Sequence, residues 1–341
     1  MSESPCVSVL LPVYNVEDYI GETLCSLLNQ SFQDFEIVVV DDCSTDQTVE
    51  RVRALADPRI RLIINPDNLG RAGSDNLGME LVRGKYVAKM DGDDVCRPER
   101  LAKQVAFLET HAKVDVVGCW VQCFGAGRML FEYPTHPVDT RAMMLFNMTI
   151  GNPAVMLRTS LWREKKMYYD EGLRQTEDYD FFSRYLPQLT IANLPEVLVD
   201  YRVLPHNTRP AVYEERLRTA NQIRERLLST FAIPYSAREA HLHNTISHHP
   251  FQLGDISLSE VHDWLWKIYI SNQHHGFADS VAMLRCVAER WFLTCYLNPD
   301  KQANSFAEYR RQELARHFKP AAKLYVKFMI KNFVLRHFQR S

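Results

Sequence analysis

Across residues 8–124, short runs of β-branched apolar residues alternate with segments of helical spacing. Glu36-Ile-Val-Val-Val40 and Arg61-Leu-Ile-Ile64 lack the apolar–polar alternation of a half-solvated strand. Strands that are apolar at every position are buried on both faces, and a parallel sheet flanked by helices is the architecture that does this. The pattern predicts strands at 8–13, 36–40, 61–64, 85–89 and 114–123, joined by helices. Ile20, Leu24, Leu27 and Leu28 place the first helix, with Asn15 or a neighbour as its cap. Further helices are predicted through Ala56, over Ala72–Val82, and after Pro98. In such sheets ligands collect beyond the carboxyl ends of the strands. Three polar clusters fall there: Pro12–Asn15, Asp41–Asp46 and Asp91–Asp94.

The rest of the chain changes character. Residues 125–205 are broken by Gly and Pro, and Thr176-Glu-Asp-Tyr-Asp180 directly precedes a helical stretch at 181–186. After Pro205 helical spacing dominates: 214–230, 258–270, 280–296, 306–318 and a last segment from Lys319. The expected organisation is therefore an α/β domain over 1–205 and a helical region over 206–341. With 341 residues, 46% hydrophobic and 24% charged, the composition is that of a folded globular chain. A net charge of −2 argues against a general nucleic-acid binder. Eight cysteines without a CxxC pair suggest buried thiols in place of a disulfide framework or zinc site. The N-terminus lacks a basic leader and no uninterrupted apolar stretch is long enough to span a bilayer, so a cytoplasmic protein is expected.

Several chemistries are unsupported. No GxGxxG follows the first strand, and Gly84-Lys85-Tyr86 is not a phosphate-binding loop. No GxSxG is present. Asp91-Gly-Asp93-Asp94 packs three carboxylates into four residues. It is either a solvated acidic turn or a site for a hard cation such as Mg²⁺ or Mn²⁺, bridging to a substrate diphosphate. At the second strand end Ser44 or Thr45 can cap the next helix, and the Asp42 carboxylate can accept the N3–H of uracil. Glu177-Asp178, taken alone, reads as an acidic helix start favoured by the helix dipole.

Taken jointly, Val7-Ser-Val-Leu-Leu-Pro-Val-Tyr-Asn15, the Asp41-Asp42-Cys-Ser-Thr-Asp46 turn, Asn68-Leu-Gly70 with Asn76-Leu-Gly78, and Met-Asp91-Gly-Asp93-Asp94 resemble glycosyltransferase family 2 in order and spacing. The later Glu177-Asp178 and Asp200-Tyr201-Arg202 resemble its acceptor-side elements, so the likeness covers about residues 5–205. It implies an inverting enzyme of GT-A fold, with a mostly parallel, Rossmann-like sheet covered by helices. Pro12, Tyr14 and Asp42 would hold the uridine of a UDP-sugar. Asp91, Gly92 and Asp93 would form the DxD element, with Asp93 the direct ligand of Mn²⁺ or Mg²⁺ and Asp91 beside it. Asp178 would be the general base, Glu177 its neighbour and Asp180 the fallback. Two positions depart from the pattern: Asp75 stands where many members carry Arg, so no diphosphate contact is expected there, and Cys43 stands where Gly is frequent.

The implied reaction moves a hexose or N-acetylhexosamine to a hydroxyl of a saccharide, giving a β-glycoside in surface polysaccharide assembly. Competing readings are a sugar nucleotidyltransferase, which needs a Gly-rich basic loop absent after the first strand, and a non-catalytic carbohydrate-binding protein. Lys319, Lys323, Lys327 and Lys331 recur every fourth residue among aromatic and aliphatic neighbours at the C-terminus. This predicts a basic helix, either packed on the protein with its Lys outward or resting peripherally on the cytoplasmic leaflet. The second arrangement suits a polyprenyl-diphosphate-linked acceptor.

Overall fold

A computed structural model describes residues 4–205, 209–248, 250–298 and 305–338, with the side chains of 333–338 left out. In chain order the elements begin β1 (Val7–Val13), α1 (Ile20–Leu28), β2 (Phe35–Asp41), α2 (Thr48–Ala54), β3 (Ile60–Ile64), α3 (Gly70–Leu81) and β4 (Tyr86–Lys89). They continue with β5 (Val95–Cys96), α4 (Arg100–Thr110), β6 (Val116–Gly125), β7 (Leu130–Phe131), α5 (Pro137–Met143), β8 (Met156–Arg158), α6 (Thr159–Lys165), α7 (Glu177–Tyr185) and β9 (Ile191–Val203). The helical remainder is α8 (Pro210–Thr230), α9 (Ala237–Ser247), α10 (Leu258–His275), α11 (Ser280–Leu297), α12 (Ser305–Arg311) and α13 (Ala322–Phe338).

The sheet order is β3-β2-β1-β4-β8-β6-β9-β5, with β7 paired to β6. β3, β2, β1 and β4 are mutually parallel, as are β6 and β9, while β8 and β5 run antiparallel to their neighbours. Every residue of β1 and β2 is buried, which is why those runs carry no alternation. The core joins Val9, Leu11, Ile37 and Val39 to Leu24 and Leu27 of α1 and to Leu101 and Leu108 of α4. On α3, a Cβ at Gly78 would sit 2.2 Å from Leu10 Cδ1, so only glycine lets this helix lie so close to the sheet.

The chain folds as two compact units, 1–140 with 148–220 and 141–147 with 221–341. Within the second unit, α10 and α11 pack on one another, and Trp264, Trp291 and Phe292 are fully or almost fully buried. Ser236 and Ser257 open α9 and α10 with reciprocal capping boxes to Glu239 and Glu260.

Several local expectations need correction. β5, β7, β8, α5, α6 and α9 are absent from the sequence reading, because short or polar segments carry too little periodicity to register. The helix expected over 306–318 breaks into α12 and a 3₁₀ turn at Glu313–Arg316. Asn15 does not cap α1. It lies in the left-handed region (φ 50) and its side chain accepts from Thr45 N–H at 2.9 Å. Of the cysteines, Cys25 is exposed, and Cys6 and Cys43 are half-buried. In the stretch 241–249, which holds four histidines, His243 is a core residue, receiving the Trp264 indole N–H at 3.3 Å and lying against Phe146. Burial pushes its pKa down to about 3. His249, in the same stretch, lies outside the described residues.

Candidate active site

The carboxyl ends of β1, β2 and β4 meet at one edge of the sheet, bringing the three polar clusters together. Pro12 is buried in β1, opposite Val40 of β2, whereas Tyr14 just beyond it is 50% exposed. Asn15 N–H donates to Ser44 Oγ at 3.0 Å, and with the Thr45 contact this stitches the first cluster to the second. Cys43, between them, has φ 66, the left-handed conformation that glycine adopts without penalty.

Asp42 is almost wholly buried and serves as an anchor. Its Oδ1 accepts from Asn65 Nδ2 (2.9 Å) and Leu69 N–H (2.8 Å), and its Oδ2 from Gly70 N–H (2.9 Å). The two backbone donors are orphan amides at the start of α3, so the carboxylate caps that helix. A carboxylate has about four acceptor sites, and three are filled here, which leaves Oδ2 able to accept one more hydrogen bond.

The Asp91–Asp94 turn is clamped from two sides. From α1, buried Thr23 Oγ1 lies 3.0 Å from Gly92 O and 2.8 Å from Asp94 O. From β9, Arg202 N–H donates to Asp94 Oδ1 at 2.7 Å and Arg202 Nε to Asp93 O at 2.8 Å. A Cβ on Gly92 would approach Val13 Cγ1 to 2.8 Å, so glycine between the two aspartates lets the turn press onto β1. Carboxylate oxygens of Asp91, Asp93 and Asp94 lie within 4.8 Å of one another. Asp94 Oδ2 is buried and has no hydrogen-bond partner among the described residues. Burial, then the charge on Asp91, pushes Asp93 up to about 6; burial, then Asp91 and Asp93, pushes Asp94 well above the usual carboxylate range. A crowded oxygen-only set with one orphaned buried oxygen fits a hard divalent cation, which would lower the raised values of Asp93 and Asp94.

Glu177 and Asp178 open α7 and are half-buried. The residue before them, Thr176, is in the left-handed region (φ 67), a conformation that costs a threonine energy and tends to occur where a site requires it. Burial, then the charge on Asp178, raises Glu177 to about 7, and burial raises Asp178 despite the Tyr179 N–H it accepts at 2.7 Å. Asp180 points elsewhere: it is buried and paired with Arg184 at 2.6 Å.

The side chain joining the two acidic groups is one that sequence reasoning passed over. Arg71, in the first turn of α3, pairs with Asp91 and, at 3.4 Å, with Asp75. Burial opposes its charge, but Asp91, Glu177 and Asp93 outweigh burial and raise its pKa. Asp75 also pairs with Lys89 of β4, and both of these groups are fully buried. Burial, then Arg71, drives the Lys89 pKa well down. Lys89 lies 5.1 Å from the centre of the Tyr169 ring. The departure at Asp75 is thus structural: its carboxylate bridges two cations, and the positive charge facing the acids comes from Arg71. The signal was legible. A lysine inside the buried run Tyr86–Met90 needs a carboxylate, and Arg71 and Asp75 are one helical turn apart. Tyr133, Tyr169 and Tyr201 complete the surroundings; burial raises the pKa of all three, with Asp178 next for Tyr133 and Tyr169 and Asp91 next for Tyr201.

The family model described as Glycosyl transferase family 2 matches residues 8–158. An uncharacterized glycosyltransferase of Haemophilus influenzae is 33% identical over 237 residues, covering 66% of this chain and 73% of its own length. The putative glycosyltransferase EpsE of Bacillus subtilis is 34% identical, covering 59% of this chain and 74% of its own. Escherichia coli WcaA, a putative colanic acid biosynthesis glycosyl transferase, is 34% identical over 54% of this chain and 67% of its own. Among solved structures, S. aureus TarS 1-349 in complex with UDP-GlcNAc superposes with TM-score 0.56 at 20% identity, covering 98% of this chain and 91% of that one. The mannosyltransferase PcManGT of Pyrobaculum calidifontis, in complex with GDP-Man and Mn2+, gives TM-score 0.52 at 17% identity over 97% and 88%. At such identities these two likenesses speak for the fold, which is the α/β sheet with a helical C-terminal region that the strand runs predict. The chain is an enzyme of the transferase class and belongs to glycosyltransferase family 2.

Proposed function

We propose that the protein transfers a hexose or N-acetylhexosamine from a UDP-sugar, with inversion, to a hydroxyl of a lipid-linked saccharide in surface polysaccharide assembly. The observation that carries this reading is that one cation serves two acidic groups. Arg71 pairs with Asp91 of the Asp91–Asp94 set, and its charge also acts on Glu177 and Asp178. The catalytic domain would be residues 1–205, which make up most of the first compact unit, with the helical region after it.

Asp91 and Asp93, with Asp94 behind them, would hold Mn²⁺ or Mg²⁺, which when bound neutralises charge on the leaving diphosphate. Pro12 and Tyr14 would flank the uracil, and the spare acceptor site on Asp42 Oδ2 would take its N3–H. Gly92 lets the turn sit close to β1, which would set Asp91 and Asp93 beside the diphosphate. Asp178 would accept the proton of the attacking hydroxyl as the new bond forms on the face opposite the departing UDP. Glu177, held near neutrality, keeps the negative charge beside that base limited. A single displacement inverts the anomeric centre, so an α-linked donor yields a β-glycoside. The names of Escherichia coli WcaA, a putative colanic acid biosynthesis glycosyl transferase, and of Rhizobium meliloti ExoO, a succinoglycan biosynthesis protein, support polysaccharide assembly as the setting. Among the described residues no helix is long and apolar enough to cross a membrane. Access to a polyprenyl-diphosphate-linked acceptor would then come from peripheral contact of α13 with the cytoplasmic leaflet.

The test is a panel of UDP-, GDP- and dTDP-sugars with Mn²⁺ or Mg²⁺, following nucleotide release with and without saccharide acceptors, with the product anomer read by NMR. Divalent-dependent UDP release and a β product are expected. Release from GDP- or dTDP-sugars alone would refute the donor class, and an α product would refute inversion.

A further inference from the structure

Beyond the sheet edge, the second unit carries a surface cavity of about 390 Å³, formed where the 3₁₀ turn meets the start of α13. Arg310, Arg316 and Lys319 line it together with Tyr309, Phe318 and Tyr325, and no carboxylate is in the lining. Glu313 pairs with Arg316 at 3.0 Å and His317 at 3.4 Å, and Glu308 with Arg311 at 3.4 Å, so these two acids offset only part of this charge. Over residues 305–332 seven Lys and Arg face two Glu.

α13 is fixed by one face. Phe328 is fully buried among Phe292, Tyr296, Phe306 and Tyr309, and Asn332 bonds Phe306 N–H and Ser305. Tyr325, at the edge of that face, forms part of the cavity wall. Next round the helix come Val326, Met329 and Ile330, 45%, 38% and 57% exposed. Their spacing of three and four residues makes them one continuous apolar band. Beyond the band lie exposed Lys323 and Lys327. An exposed apolar strip between a cation-lined cavity on one side and lysines on the other matches a helix lying in a bilayer interface, with Lys stems snorkelling toward the headgroups.

We propose that this cavity seats the phosphate headgroup of an anionic phospholipid while Val326, Met329 and Ile330 enter the acyl boundary. The inference rests on the peripheral contact proposed above and gives it a headgroup site. A phosphate in solution would satisfy the cations alone and would leave the apolar strip in water, which is why the bilayer is the favoured source.

Co-sedimentation of the full chain with phosphatidylcholine vesicles, with and without one quarter phosphatidylglycerol, tests it. The wild type should bind only the anionic vesicles and release at high salt. Each cation near the surface strengthens binding about fivefold, so R310Q/R316Q/K319Q should weaken it on the order of a hundredfold. V326S/M329S/I330S should also lose binding, and both variants should keep wild-type UDP-sugar hydrolysis and thermal stability. If the wild type fails to bind, both the membrane contact and the headgroup site are overturned. If R310Q/R316Q/K319Q binds like wild type, the headgroup site alone is overturned. If inorganic phosphate displaces the protein from vesicles while V326S/M329S/I330S binds normally, the site serves a soluble phosphate and the bilayer assignment is overturned. Absence of UDP-sugar hydrolysis in the wild type would strike the proposed UDP-sugar donor and leave the vesicle result standing.

Discussion

Arg71→Gln removes the cation that pairs with Asp91 and whose charge also acts on Glu177 and Asp178. At an effective dielectric of 20 and a separation of about 4 Å, one ion pair is worth roughly 4 kcal/mol before desolvation is counted. Burial of Arg71 opposes its charge, and its side chain is 32% exposed, so both effects reduce that figure. Breaking a fully buried pair costs about 3–5 kcal/mol. For this partly exposed one, leaving Asp91 unpaired and Asp75 with Lys89 alone, a loss of about 2 kcal/mol is expected in metal-free protein. For a unit of roughly 200 residues that is a drop of about 4–8 °C in Tm. Mn²⁺ would relieve the same repulsion, so it should raise the Tm of the variant more than that of wild type. Differential scanning calorimetry in EDTA and in Mn²⁺ measures both. An unchanged Tm in EDTA, or equal Mn²⁺ shifts in the two proteins, would refute the claim that Arg71 neutralises the acidic cluster.

Asp93→Ala should abolish transfer and the Mn²⁺ dependence of UDP binding while circular dichroism stays that of wild type; calorimetric titration with UDP decides, and retained metal dependence would remove Asp93 from the ligand set. Asp178→Asn should lower kcat by on the order of 10²–10⁴ with the Kd for UDP unchanged, and weakened UDP binding at normal turnover would exclude it as the base. Because Glu177 is raised to about 7 and Asp178 is also raised, mainly by burial, the pair holds a proton below neutrality. The kcat of wild type should therefore rise with pH through about 7, and a flat profile from about pH 5.5 to 8.5 would contradict this. The same raised values mean that the carboxyls favour the folded state most below their ordinary range and lose that contribution as pH climbs through about 7. Cys43→Gly should stabilise the protein by about 0.5–1 kcal/mol, the left-handed penalty less the added chain entropy of glycine, and a lowered denaturation midpoint would show that the thiol makes a compensating contact.

Local chemistry alone was enough to read the strands that are buried throughout. Val7–Val13 and Phe35–Asp41 are predominantly apolar on both faces, and no half-solvated strand tolerates that. It was also enough to bring Pro12–Asn15, Asp41–Asp46 and Asp91–Asp94 to one sheet edge, because parallel strands deliver their carboxyl ends to the same side. What sequence could not show is what each of those side chains faces. Asp42 reads as a ligand from its place at a strand end, yet its oxygens are mostly spent on the amides of Asn65, Leu69 and Gly70, a fact that depends on how α3 enters the sheet. Asp180 and Asp178 are alike in spacing, and only the helical phase of α7 turns one to Arg184 and the other to the site. Arg71, Asp75 and Lys89 are separated by up to 18 positions in the chain and become one charge network only when β4 and α3 pack together. Burial and the distance between charges set their energies, and both are properties of the packed chain, not of the order of its residues.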